Sequence, residues 1–175
     1  MPAINRLLRI GVMGPRSCSP GEARTARAVG RRIAEGGGIV ICGGGSGVME
    51  AAARGAKEAG GTVVGILPSD DEADANPYVD IPVVTGLGNA RNAINVLTSH
   101  ALIAIAGGPG TLSEIALALK TGTPVVGLNT WEFSIGTSPA RALRIQRARG
   151  PRDAVNRAFR LARARIVRPA AGGRT

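Results

Sequence analysis

Residues 105–114 read Ile105-Ala106-Gly107-Gly108-Pro109-Gly110-Thr111-Leu112-Ser113-Glu114. An apolar run, Ala101 to Ala106, enters this glycine turn, and the turn opens onto the helical pattern Ile115-Ala116-Leu117-Ala118-Leu119-Lys120. Strand, glycine turn and helix start, in that order, make an anion site. The first N–H groups of a helix lack intrahelical acceptors, and with the positive end of the dipole they face whatever lies over the turn. Gly107, Gly108 and Gly110 let a phosphate approach the backbone with no Cβ in the way. Glu114 then sets a carboxylate one turn into the helix. A second turn of this kind, Gly43-Gly44-Gly45-Ser46-Gly47 before Val48-Met49-Glu50, follows the apolar run Ile39 to Cys42. Neither turn has the third glycine of a dinucleotide fingerprint, and no Gly-Lys-Ser/Thr P-loop exists, which argues against nucleoside triphosphate hydrolysis.

Charge spacing singles out two residues. Between Ile81 and Ser113 the one formally charged side chain is Arg91, and the next is Glu114. The pattern places Arg91 in the first turn of a helix, where a cation opposes the dipole by about 0.3–1 kcal/mol. A residue set against its local preference marks a candidate site, and a nearby anion or carboxylate would offset the cost. Glu114 also has a structural reading, because Thr111-Leu112-Ser113-Glu114 fits a capping box. His100 reads as structural, near a helix C-terminus.

These residues need a frame. Apolar runs alternate with helical patterns along the chain, which predicts βαβ units, a parallel sheet and ligand sites at the strands' carboxyl ends. Strands are expected at 8–13, 39–42, 62–67, 81–84, 101–106 and 124–128. Helices are expected from the capping box at Ser19 to about Glu35, from Val48 to Ala59, from Asn89 to about Ser99, from Thr111 to Lys120 and from Pro151 to about Ile166. Gly30 falls on the buried face of the first helix, where it would allow close approach to the sheet. The carboxylate-rich stretch Ser69–Asp80 reads as a solvated loop, since the alternation of a calcium loop is absent. Trp131 to Pro139 reads as loop. One domain over 1–168 and a disordered tail over 169–175 are expected.

Bulk composition narrows the function classes. The 44% hydrophobic and 19% charged content is that of a globular protein. No uncharged apolar run approaches the roughly 18 residues of a membrane span, and no signal peptide is evident. Cys18 and Cys42 make neither a disulfide framework nor a metal spacing, so no metal site is expected and the protein reads as cytoplasmic. The net charge of +10 is confined to residues 136–175, which carry 11 arginines against Asp153, whereas residues 1–135 balance 11 basic against 11 acidic side chains. Such a tail can bind nucleic acid, but Tyr78, Trp131, Phe133 and Phe159 are too few for a base-stacking platform, and nucleic acid is not the expected partner.

Gly-Gly-x-Gly-Thr-x-x-Glu at Gly107 to Glu114, the stretch Gly43 to Ala52, and Arg91 placed 23 residues before Glu114 resemble the signature of the LOG proteins. These are cytokinin riboside 5′-monophosphate phosphoribohydrolases with a Rossmann-like fold, long mislabelled as lysine decarboxylases. Within that superfamily the chain is similar to a smaller branch that includes molybdenum-cofactor carriers. The marks are Gly65-Ile66-Leu67-Pro68, Ala75 to Asp80, Thr85-Gly86-Leu87-Gly88 with Arg91-Asn92, and Thr111 to Leu119. The chain departs from the hydrolases at Ala106, where they have proline, at Asn92, where they have lysine, and at Ser113, where they have the first of two glutamates. His100 stands where the branch often has aspartate.

The resemblance implies a Rossmann-like three-layer α/β/α fold with a mostly parallel central sheet, and a homo-oligomer, dimer or larger. It leaves two main functions open, and a third, regulatory nucleotide sensing with the arginine-rich tail contacting acidic partners, beside them. In the first, the chain hydrolyses the N-glycosidic bond of a nucleoside 5′-monophosphate to free base and ribose 5-phosphate. Arg91 and Glu114 would be catalytic, with Glu114 stabilising oxocarbenium character and activating water. In the second, it binds a phosphorylated pterin, the molybdenum cofactor, without chemistry, and the cofactor's own sulfurs keep the metal. Either way Gly107, Gly108, Pro109, Gly110 and Thr111 hold the phosphate, Gly43, Gly44, Gly45, Ser46, Gly47 and Met49 form the companion turn, and no cofactor is required for catalysis.

Overall fold

The structure, a computed structural model, describes residues 7–133 and 145–167. Seven parallel strands form one sheet in the order β4-β3-β2-β1-β5-β6-β7. They are β1 (Arg9–Met13), β2 (Ile39–Cys42), β3 (Val63–Leu67), β4 (Ile81–Val84), β5 (Ala101–Ile105), β6 (Val125–Leu128) and β7 (Gln146–Arg147). The helices are α1 (Pro20–Glu35), α2 (Val48–Glu58), α3 (Asn92–Thr98), α4 (Pro109–Thr121) and α5 (Pro151–Val167). Two 3₁₀ turns, Glu72–Asp74 and Gly88–Arg91, complete the set.

Both faces of the sheet are covered, as an all-parallel sheet requires. On one face, Val29 and Ile33 of α1, Ala52 and Ala56 of α2, and Val155 and Ala158 of α5 bury Ile10, Val40, Ile103 and Val126. On the other, Val96 of α3 and Ile115 and Ala118 of α4 bury Met13, Leu102 and Val125. This is the three-layer Rossmann-like arrangement. The outermost strand β4 leaves Ile81 and Val84 exposed at one end of the sheet. No described helix is long and apolar enough to cross a membrane.

Strand order sets where ligands can enter. From β1 the chain builds outward through β2, β3 and β4, then returns to place β5 on the other side of β1. The crevice outside the carboxyl ends of β1 and β5 is the switch point of the sheet.

Local structure departs from expectation in four places. The Asn89–Ser99 helix is split, with a 3₁₀ turn ending at Arg91 before α3 begins. Helix α4 starts at Pro109, with Gly108 as its N-cap and no side-chain cap, so Thr111 and Glu114 form no capping box. Strand β7, two polar residues long, was not expected. Trp131–Phe133 is irregular, as expected, while the rest of the stretch to Pro139 and the tail after Arg168 lie outside the described residues.

The fourth concerns Gly30, which approaches α2 rather than the sheet. A Cβ on Gly30 would lie 1.9 Å from the Ala52 carbonyl oxygen, and one on Gly55 of α2 would lie 1.9 Å from that of Arg27. The two helices touch backbone to backbone through this reciprocal glycine pair. Glu58 of α2 then ties them by accepting from Arg27 and Arg31 of α1, and with Arg54 of its own helix these hold its carboxyl down at about 2. Alanine favours helix over glycine by ~1 kcal/mol, yet Gly30→Ala and Gly55→Ala are each expected to destabilise the protein by about 1–3 kcal/mol through overpacking. Thermal or urea denaturation checks this, and an unchanged or raised midpoint would contradict it.

Candidate functional site

A cleft of about 280 Å³ lies at the switch point. One wall is the turn after β5, with Gly108, Pro109, Gly110 and Thr111. The opposite wall is the turn after β1, with Gly14, Pro15 and Arg16. Arg91, Asn92 and Glu114 line its interior, and Met49 and Pro68 close the side toward β2 and β3.

Arg91 and Glu114, 23 residues apart in sequence, meet with Nη1 3.5 Å from Oε1. Both are nearly buried, at 8% and 6% exposure. The Asn95 amide donates to Glu114 Oε1 at 2.8 Å, and Arg91 Nη1 donates to Asn92 Oδ1 at 3.0 Å. Burial pushes the Glu114 carboxyl up to about 7, against the lowering effects of the Asn95 hydrogen bond and the Arg91 charge. Burial likewise lowers Arg91 from its ordinary value, against the opposing pull of Glu114. Desolvation therefore outweighs the mutual attraction on both sides of the pair.

Three polar atoms of the pair and its neighbours are buried without a partner: the donors Nε of Arg91 and Oγ1 of Thr111, and the acceptor Oδ1 of Asn95. Thr111 belongs to the first turn of α4, whose free N–H groups stand next to it. The cleft thus offers unsatisfied donors and two guanidinium groups, and among the described residues lining it Glu114 is the one carboxylate. This is the chemistry of an anion site. The described residues hold no cluster of His, Cys, Asp or Glu that could ligate a metal.

The first glycine turn sits differently. Gly43, Gly44, Gly45, Ser46 and Gly47 are not among the cleft's lining residues, while Met49 is. A Cβ on Gly43 would lie 2.8 Å from both Nη atoms of Arg91 and from the Met49 sulfur, so this glycine makes room for the guanidinium. Gly44 and Gly47 have left-handed backbones, φ 72 and 69. Asn76 fastens the turn by donating to the Gly44 and Gly45 carbonyls, and the Ser46 hydroxyl donates to that of Arg16. Gly107 lies outside the lining too and packs on Trp131.

Sequence reasoning missed the β1 turn, Asn76 and Asn95. The β1 turn carries no glycine run, and only the strand order brings it to the crevice. Asn95 had a signal, since it falls four residues after Arg91 on the same helical face. His100 serves the scaffold: its Nδ1 accepts from the Arg9 N–H. Cys42 is buried in β2, its thiol pushed up to about 11 by burial.

The model of the SLOG cluster4 family matches residues 7–155. The chain belongs to the SLOG cluster4 family. A family relative from Archaeoglobus fulgidus, itself uncharacterized, is 50% identical over 123 residues, 70% of this chain and 81% of its own. Two solved structures are similar over nearly the whole of this SLOG protein. The molybdenum cofactor binding protein of Rippkaea orientalis is 40% identical, with a TM-score of 0.79 covering 93% of this chain and 99% of that one. The Moco carrier protein of Chlamydomonas reinhardtii is 41% identical, with a TM-score of 0.80 covering 91% and 99%. Both of these structural neighbours lie in the Moco-carrier branch suggested by the sequence marks.

Two of the three departures from the hydrolase pattern, Asn92 and Ser113, are linked in this SLOG protein. The Asn92 amide donates to Ser113 Oγ at 2.7 Å, and that hydroxyl donates to the Gly110 carbonyl at 2.8 Å. A lysine and a glutamate at these positions would carry opposite charges; here a neutral pair braces the α4 turn. Ala106 has φ 55 and its N–H donates to the Leu128 carbonyl at 3.1 Å, so a proline could adopt neither this backbone nor this bond.

An acid whose pKa is higher folded than unfolded binds protons more tightly in the native state. For Glu114, at 4.5 when solvated and about 7 in the fold, stability falls as pH rises through that window and is level above it. In Glu114→Gln this slope disappears. Denaturation curves between pH 4.5 and 8 should show the variant gaining on wild type by on the order of 3 kcal/mol across the window, whatever constant offset the unpaired Arg91 adds. Parallel pH profiles would contradict it.

Proposed function

We propose that this SLOG protein binds and carries molybdenum cofactor, a phosphorylated pterin, and does not hydrolyse nucleotides. The reading is carried by its likeness, at 40% identity over 93% of the chain, to a protein described as binding that cofactor. The site's chemistry supports it. The phosphate would lie over the first turn of α4, taking hydrogen bonds from the Gly110 and Thr111 N–H groups, from the Thr111 hydroxyl and from Arg91 Nε. Arg16 adds a second positive charge to the cleft. The cofactor's own sulfurs hold its metal, and the chain supplies an anion clamp and a walled cleft.

Hydrolysis asks for more. It needs an ionised carboxylate free to meet a water and the sugar. Glu114 is instead engaged by Asn95 and Arg91, and Ser113 replaces the partner carboxylate with a hydroxyl already bound to Asn92 and Gly110.

Two measurements on the purified protein test this. Calorimetry should detect binding of a phosphorylated pterin, and Thr111→Val, which removes only an unpartnered hydroxyl, should weaken it by about tenfold or more. Incubation with AMP should release neither adenine nor ribose 5-phosphate. Base release that Glu114→Gln abolishes would replace this reading with the hydrolytic one.

A further inference from the structure

On the far side of the Gly107–Thr111 turn lies a second cavity, of about 220 Å³, at the carboxyl ends of β6 and β7. Its walls include Trp131, Phe133, Asn129, Thr130 and Arg147. The indole of Trp131 lies on the phosphate turn itself. A Cβ on Gly107 would stand 2.7 Å from Nε1 and 3.1 Å from Cδ1 and Cε2, so glycine is what lets the ring rest there. Gly108, the next residue, lines the first cavity. One turn is therefore the partition between two cavities, a set of free amides on one side and an aromatic ring on the other.

Three observations mark the second cavity as built for a ligand. Trp131 stays 40% exposed, although such a ring is ordinarily well buried. Oγ1 of Thr130 is buried with no hydrogen-bond partner. Asn129, which lines the cavity at the end of β6, has a left-handed backbone, φ 48. Backbone strain of this kind collects at ligand sites. At the rim Arg147 already pairs with Glu132 at 2.9 Å, so an uncharged ring suits the cavity better than a second anion.

Building on the phosphate site proposed above, we propose that the planar heteroaromatic ring of the ligand stacks on Trp131. The phosphate stays over α4 and the chain between them crosses the turn. Thr130 and Asn129 offer hydrogen bonds to the ring's polar edge. A pterin and a purine both have this shape.

Trp131 is the chain's one tryptophan, so its emission reports on this cavity alone. The test uses the full chain and three probes: 6-hydroxymethylpterin phosphate, AMP and the ringless glycerol 3-phosphate. Calorimetry on wild type, Trp131→Phe and Trp131→Ala gives the affinities. Trp131→Ala should weaken a ring-bearing probe by about tenfold or more, Trp131→Phe by less than about threefold, and neither should change glycerol 3-phosphate. The ring whose binding depends more on Trp131 identifies the class. Emission should respond to that probe and not to glycerol 3-phosphate. Equal affinity of wild type and Trp131→Ala for both ring-bearing probes would overturn the stacking and leave the phosphate site standing. An equal loss for all three probes would also overturn it, by showing a structural effect. If wild type binds none of them, the phosphate site and the stacking both fall.

Discussion

The site depends on two opposite charges held out of water. Arg91 and Glu114 lie 3.5 Å apart at under a tenth of full exposure, and neither recovers from its partner all that burial takes away. Such a pair persists because its surroundings leave it no alternative. Gly43 gives the guanidinium its space, Asn92 and Asn95 hydrogen-bond the two ends, and α3 and α4 pack side by side on one face of the sheet to bring them together. The result is a cation fixed beside the first turn of α4 with Nε unpartnered, next to an unpartnered Thr111 hydroxyl. Buried donors left without acceptors each cost about 1–3 kcal/mol, and an incoming phosphate would satisfy them together.

Beside this pair the chain has Asn92 and Ser113 where the hydrolase pattern it resembles has a lysine and a glutamate. Replacing both by Asn92 and Ser113 leaves a neutral hydrogen-bonded pair that still braces the α4 turn. Glu114 is thereby the one carboxylate among the described residues that line the cleft. Likeness to cofactor-binding and cofactor-carrying proteins over more than nine-tenths of the chain fits that outcome.

Most of the scaffold was legible because parallel strands buried on both faces write themselves as short apolar runs. Ile39–Cys42 and Ile81–Val84 emerge with their predicted bounds. Gln146–Arg147 carries no such run and pairs through its backbone alone, so β7 left no trace. Arg91 and Glu114 were legible as charges isolated in a long neutral stretch. The role of the first glycine turn was not. A glycine can admit a ligand or admit a neighbouring side chain, and composition does not distinguish the two. Arg91 against Gly43 is the second case, and Gly110, with nothing near its missing Cβ, is open space that a ligand could fill. The capping-box pattern misled for a related reason: Pro109 can begin a helix without a side-chain cap, which moves Glu114 past the first turn and into the interior.

The most direct test of the account is a crystal structure of the protein with a phosphorylated pterin bound. The phosphorus is expected over the N-terminus of α4, its oxygens within hydrogen-bond distance of Thr111 Oγ1, of the Gly110 and Thr111 amides and of Arg91 Nε, with the Arg91–Glu114 contact preserved. A phosphate seated instead on the Gly43–Gly47 turn, with Arg91 Nε and Thr111 Oγ1 still unpartnered, would contradict it.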